Sequence, residues 1–112
     1  KQYEKRRNTL RWFKYQETAI QQLTIQVCEA KGQLDEFKTT YGNDANKWTD
    51  TTSKAYNDLL FVKNGYISKY NSLVSEYNAR RSSFIQSFGR DKDTPREYVE
   101  FYDSTCINGG SR

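Results

Sequence analysis

Cys28 and Cys106 carry the most reactive side chains of this 112-residue sequence. They stand too far apart for a redox C-x-x-C pair, and two thiolates alone do not complete a four-ligand zinc site. A disulfide between them is the favoured reading and would close a loop of about 80 residues, a constraint of up to about 4–5 kcal/mol in the chain-entropy model. Pairing implies an oxidising compartment; two free thiols are the alternative.

Histidine is absent. That removes Ser-His-Asp and Cys-His catalysis, the commonest metal ligand and the Glu-x-x-His pairs of di-iron bundles. The six glycines, at 32, 42, 65, 89, 109 and 110, make neither G-x-G-x-x-G nor G-x-x-x-x-G-K. Glu97, Glu100 and Asp103 share one helical face by spacing, but an oxygen-rich cation site also needs a folded loop with carbonyl ligands. A solvated acidic row is the simpler reading. No catalytic residue, metal, cofactor or small-molecule substrate is expected, and the chain does not read as an enzyme.

Positive charge is the other chemical resource. Residues 1–14 balance to +5 and residues 80–96 to +3; the formal total is +4, so the remainder carries −4. If the chain folds back on itself, both segments meet at one end. The candidate residues of that basic pole are Lys5, Arg6, Arg7, Arg11, Arg80, Arg81, Arg90 and Arg96, with Trp12, Phe13 and Tyr15 beside them. Ordinary surface charge is the simplest account. An anionic membrane surface is the next, since basic residues with Trp and Tyr suit such an interface. Nucleic acid comes last, because no nucleic-acid motif is present and the middle of the chain is acidic.

These side chains need a scaffold, and the apolar supply restricts its shape. Leu, Ile, Val and Phe together make up under a fifth of the chain, bordering on disordered composition. Nine Tyr and two Trp add apolar ring area with polar tips, enough for a thin, elongated core. A helical 3–4 spacing runs through Phe13, Ile20, Leu23, Val27, Ala30, Leu34, Phe37 and Tyr41. Gly42 reads as its stop and Asn43 or Asp44 as the next N-cap. Residues 56–83 then repeat in sevens, as YNDLLFV, KNGYISK, YNSLVSE and YNARRSS, with three apolar positions per heptad in the first and third units. Such a stripe is wider than a two-stranded seam and implies two neighbours. Thr94-Pro95-Arg96-Glu97 has the form of a capping box that opens a third helix.

The expected fold is all-α: a long antiparallel, coiled-coil-like helical hairpin with a third, short C-terminal helix. The helices are placed at about 2–41, about 44–88 and about 95–106, with a flexible tail at 107–112, in one elongated domain. On that plan Cys28 stands about 40 Å above the open end, while residues 89–106 climb roughly 30 Å. A Cys28–Cys106 bridge then needs an early end to the second helix or an offset of the arms. Asn57, Asn64, Asn71 and Asn78 recur every seven residues and read as a polar flank more readily than as register-fixing contacts.

The stretch YNSLVSEYNARRSSF, followed by FG and PREYVEF, resembles the C-terminal part of LemA-type membrane-anchored helical proteins over roughly a third of the chain. The basic-then-apolar motif of that family's first helices is missing, and the resemblance is not taken as an identification. It points, like the basic pole, towards a membrane-anchored setting. A start at Lys1 without Met suggests a processed chain, and no signal-peptide pattern or long apolar run is present.

The expected function is a non-catalytic helical interaction or scaffold module. It is read as the soluble extracytoplasmic or membrane-proximal part of a larger protein, or as an accessory subunit of an assembly. Its partner would be another protein or a second copy, with Tyr56, Tyr66, Tyr70, Tyr77, Phe84 and Phe88 as candidate contacts. The competing reading has those rings only filling the intramolecular seam. An extracytoplasmic location (secreted, periplasmic or membrane-anchored) is favoured, with an intracellular one left open.

Overall fold

The structure, a computed structural model, describes residues 2–99 and 106. Two long helices, α1 (Gln2–Tyr41) and α2 (Asp50–Phe88), pack antiparallel into a hairpin. The rod they form measures 64 × 22 × 17 Å.

α1 follows its heptad row closely. Phe13, Ile20, Val27 and Leu34, each seven residues apart, are all buried against α2, with Ala30 beside them. Gly42 ends the helix. Its φ of 88° is a left-handed conformation that a side chain disfavours, and its N–H donates to the Lys38 carbonyl at 2.8 Å. Trp48 completes the stop from outside the helix: its indole N–H lies 3.0 Å from the Tyr41 carbonyl and 3.1 Å from that of Gly42.

The start of α2 differs from the sequence expectation. Asp44 does act as a cap, but its carboxylate accepts from the Asn46 N–H and starts only a single 3₁₀ turn, Ala45–Lys47. Helix resumes at Asp50, where the Thr49 hydroxyl accepts from the Thr52 N–H at 3.1 Å. The connection is longer because Trp48 is drawn into the apex of the hairpin. There its ring meets Phe37 at 5.4 Å and Tyr56 at 5.0 Å, and Phe37 also touches Tyr41 at 4.6 Å.

The main core lies towards the open end, where Phe13, Ile20, Tyr70, Val74, Tyr77 and Phe84 interlock. Phe13 is its centre. The Tyr77 and Phe84 rings stand nearly perpendicular to it, with centroids 5.0 and 5.8 Å away. Tyr70, Tyr77 and Phe84 are heptad-related on α2, so its tyrosine repeat sits inside the seam at these positions.

Past Gly89 the chain turns back along the hairpin, but the capping box does not open a helix. The Thr94 hydroxyl accepts from the Asp91 N–H at 2.8 Å, and the Asp91 carboxylate accepts from the Asp93 N–H at 2.8 Å. Thr94 therefore closes a turn behind it and caps nothing ahead. Residues 95–99 carry no helix. The rest of the expected third helix, at 100–105, and the tail at 107–112 lie outside the described residues. Cys106 is bonded to Cys28, with the two Cα atoms 5.4 Å apart. Over residues 95–99 the backbone is not coiled, and such backbone climbs up to about 3.3 Å per residue against 1.5 Å in a helix, which lengthens the reach towards Cys28.

Candidate functional site

The residues of the basic pole, with Tyr77, Phe84 and Phe88, gather at the open end of the hairpin, where residues 89–99 form a strap across one side of the seam. Asn78 holds the strap by imitating a strand neighbour. Its amide N–H₂ donates to the Tyr98 carbonyl at 2.7 Å, and its carbonyl accepts from the Tyr98 N–H at 3.2 Å. One side chain thus satisfies both backbone groups of an extended residue. Arg81 Nε donates to the Pro95 carbonyl at 2.7 Å, and Pro95 is the buried residue of the strap. Asn78→Ala is expected to cost about 1–2 kcal/mol, two neutral hydrogen bonds, and to remove the hydrogen-exchange protection of the Tyr98 amide. Retained protection would show that the strap stays in place without the Asn78 clamp.

Tyr77 is fully buried and its ring lies edge-on to Tyr98 at 5.1 Å. Its hydroxyl donates to the Glu17 carboxylate at 2.9 Å. Burial, reinforced by that carboxylate, holds the Tyr77 hydroxyl far above its ordinary value of 10.0. Burial also raises Tyr98, against an opposing pull from Arg96. An acid whose folded pKa exceeds its unfolded one leaves stability intact below about pH 10 and removes it as pH climbs above that value. The urea midpoint is therefore expected to stay level up to about pH 10 and then fall, with Tyr77→Phe flattening the decline.

The basic pole separates into two groups. Four of its arginines make contacts within the chain, two of them, Arg80 and Arg96, at exposed positions. Arg6 pairs with Asp91 at 2.8 Å and lies over the Phe84 ring; Arg80 lies 4.6 Å over Trp12 and 3.6 Å from Glu76. Arg81 holds Pro95, and Arg96 lies 4.6 Å over Tyr98. Lys5, Arg7, Arg11 and Arg90 are exposed. Lys5 and Arg80 border a groove of about 520 Å³ floored by Trp12, Phe84 and Phe88, on the seam between the helices.

Of the candidate interface rings, Tyr70 and Tyr77 are buried within the chain, and Phe84 is buried too, reaching the surface only at the floor of that groove. Tyr56, Tyr66 and Phe88 are half-buried, Tyr56 within the apex cluster. Other apolar side chains stand open that the heptad pattern passes over: Phe61 is 79% exposed, and Val62 and Ile25 are exposed as well. Glu17, Asn78 and Tyr98 join the site only through the fold, since their roles depend on which strap residue arrives at which level of α2. The Asn repeat was visible, but Asn57 and Asn64 are exposed while Asn78 clamps the strap, so the row has no single role.

Among the described residues, no group of three or more His, Cys, Asp or Glu could hold a metal ion, and no helix is long and apolar enough to cross a membrane. Comparison with family models, curated proteins and solved structures finds no match to this chain.

Proposed function

We propose that the chain is a non-catalytic, disulfide-braced helical interaction module that works in an oxidising compartment. It serves as the extracytoplasmic or membrane-proximal part of a larger protein, or as an accessory subunit of an assembly. The observation that carries this reading is the Cys28–Cys106 bridge, which ties the strap to the middle of α1. Such bonds persist in secreted, periplasmic and cell-surface settings and are rare in the cytosol. A 64 Å rod with a thin core also suits a spacer or docking rib. Phe61 and Val62, standing out from α2 in the half of the rod nearer the apex, supply the apolar contact a protein partner would cover.

The test is the mass of the natively isolated chain after alkylation without reductant. No uptake at monomer mass is expected, with two adducts after reduction. Two adducts without reductant would remove the oxidising compartment from the proposal.

A further inference from the structure

The basic pole holds more positive charge than its fold employs. Arg7, Arg11 and Lys14 follow one another along the outward face of α1 at i, i+4 and i+7, with Tyr3 one turn before them. They border a shallow concavity of about 390 Å³, shared with Arg6 and Leu10 and lined by no carboxylate. Among the described residues the three side chains make no ion pair. The carboxylates around the face are Glu4, exposed in the first turn, Glu17, engaged by Tyr77, and Asp91 and Asp93, both facing Arg6.

This arrangement is unfavourable for an isolated helix in two ways. Like charges at i, i+3 and i+4 repel, and cations early in a helix oppose its dipole. Both penalties are relieved when anions lie against the face. We propose that the outward face of α1 formed by Tyr3, Arg7, Arg11 and Lys14 docks on the phosphate headgroups of an anionic lipid bilayer. Charge complementarity supplies the attraction, and the composition of the face selects the bilayer. Leu10 and Tyr3 are interleaved with the cations, and Tyr3 and Tyr15 are each 73% exposed, which suits the amphipathic headgroup layer. The cationic run from Arg7 to Lys14 advances only about 10 Å along the axis. Beyond it the same face continues with Thr18, Gln21 and Ile25 before turning acidic at Glu29. A nucleic-acid strand would need a longer track of cations, whereas a flat surface needs only one end of the rod. Arg90 and Lys92, exposed on the adjoining turn, extend that end.

This surface is one contact of the proposed interaction module, and its test does not depend on the alkylation result. The oxidised chain is sedimented with vesicles of phosphatidylcholine alone or of phosphatidylcholine with phosphatidylserine, and titrated in parallel with a generic DNA duplex. Binding is expected only to the phosphatidylserine vesicles, falling as salt rises. R7E/R11E/K14E should weaken it by about a hundredfold or more, at roughly fivefold per basic residue. The neutral variant R7Q/R11Q/K14Q serves if the reversed one misfolds, and K54E/K69E on α2 is the control that should bind normally. Equal binding to both vesicles, no binding to either, tighter binding to the duplex, or an unaffected triple variant would each overturn the proposal.

Discussion

Replacing Cys106 by Ser is expected to lower the melting temperature by about 16–40 °C if the full loop-closure entropy is lost. The bond joins residues 78 apart in sequence, and a loop of that size is worth up to about 4–5 kcal/mol of denatured-state entropy. For a domain of this length, about 1 kcal/mol moves the midpoint by roughly 4–8 °C. Few other contacts can substitute for it. The strap is otherwise held by the Asn78 clamp, by Arg81 on the Pro95 carbonyl and by the Arg6–Asp91 pair. The last of these is partly exposed and contributes about 0–1 kcal/mol. Calorimetry with and without reductant measures the effect, with Cys28→Ser and the double variant as comparisons. All three variants should match the reduced wild type. A shift of only a few degrees would mean that the side-chain clamps hold the strap without the covalent bond.

The same bridge shows where the sequence was readable and where it was not. The two helices follow from local patterns that decide the backbone by themselves: apolar residues at 13, 20, 27 and 34, glycine at 42, and the seven-residue repeat of α2. Even the wide stripe of α2 has its second neighbour, although an uncoiled strap provides it near Asn78 and Tyr98 where a helix was expected. Thr94-Pro95-Arg96-Glu97 carries a valid helix-start pattern. It fails because the backbone groups of the strap find partners on α2 that a local pattern does not register. Propensity yields to tertiary hydrogen bonding at that point.

The pole was legible as net charge and not as roles. Counting Lys and Arg shows that residues 1–14 and 80–96 are basic, but not that Arg6, Arg80, Arg81 and Arg96 face rings, carboxylates and carbonyls. That distinction depends on the strap, whose path the sequence did not show. Likewise, the tyrosine repeat shows where rings recur along α2, but only packing reveals that Tyr77 is enclosed while Phe61 stands out.

Phe13→Ala is expected to be as damaging as the loss of the bridge, through a different route. Phe13 is 1% exposed and its ring meets Trp12, Tyr77 and Phe84 at 5.1, 5.0 and 5.8 Å. Truncating a phenylalanine in such a site costs about 3–5 kcal/mol, the transfer loss plus the cavity left among rings that cannot all move inward. A domain of this size has roughly 6–17 kcal/mol in total, and a thin core argues for the lower part of that range. Phe61→Ala, at an exposed position on α2, should stay within about 0.5 kcal/mol and serves as the control. Phe13 and Cys28 lie roughly 22 Å apart along α1, so their effects should add. With the bridge intact, Phe13→Ala should still unfold cooperatively in urea at a lower midpoint. With the bridge reduced, the two losses together approach the whole stability, and the helical circular-dichroism signal should be largely gone at 37 °C. If the reduced variant keeps its helices, the stability of the rod lies along the upper seam of Val27, Ala30 and Leu34, and the ring cluster at the open end is the lesser part of the core.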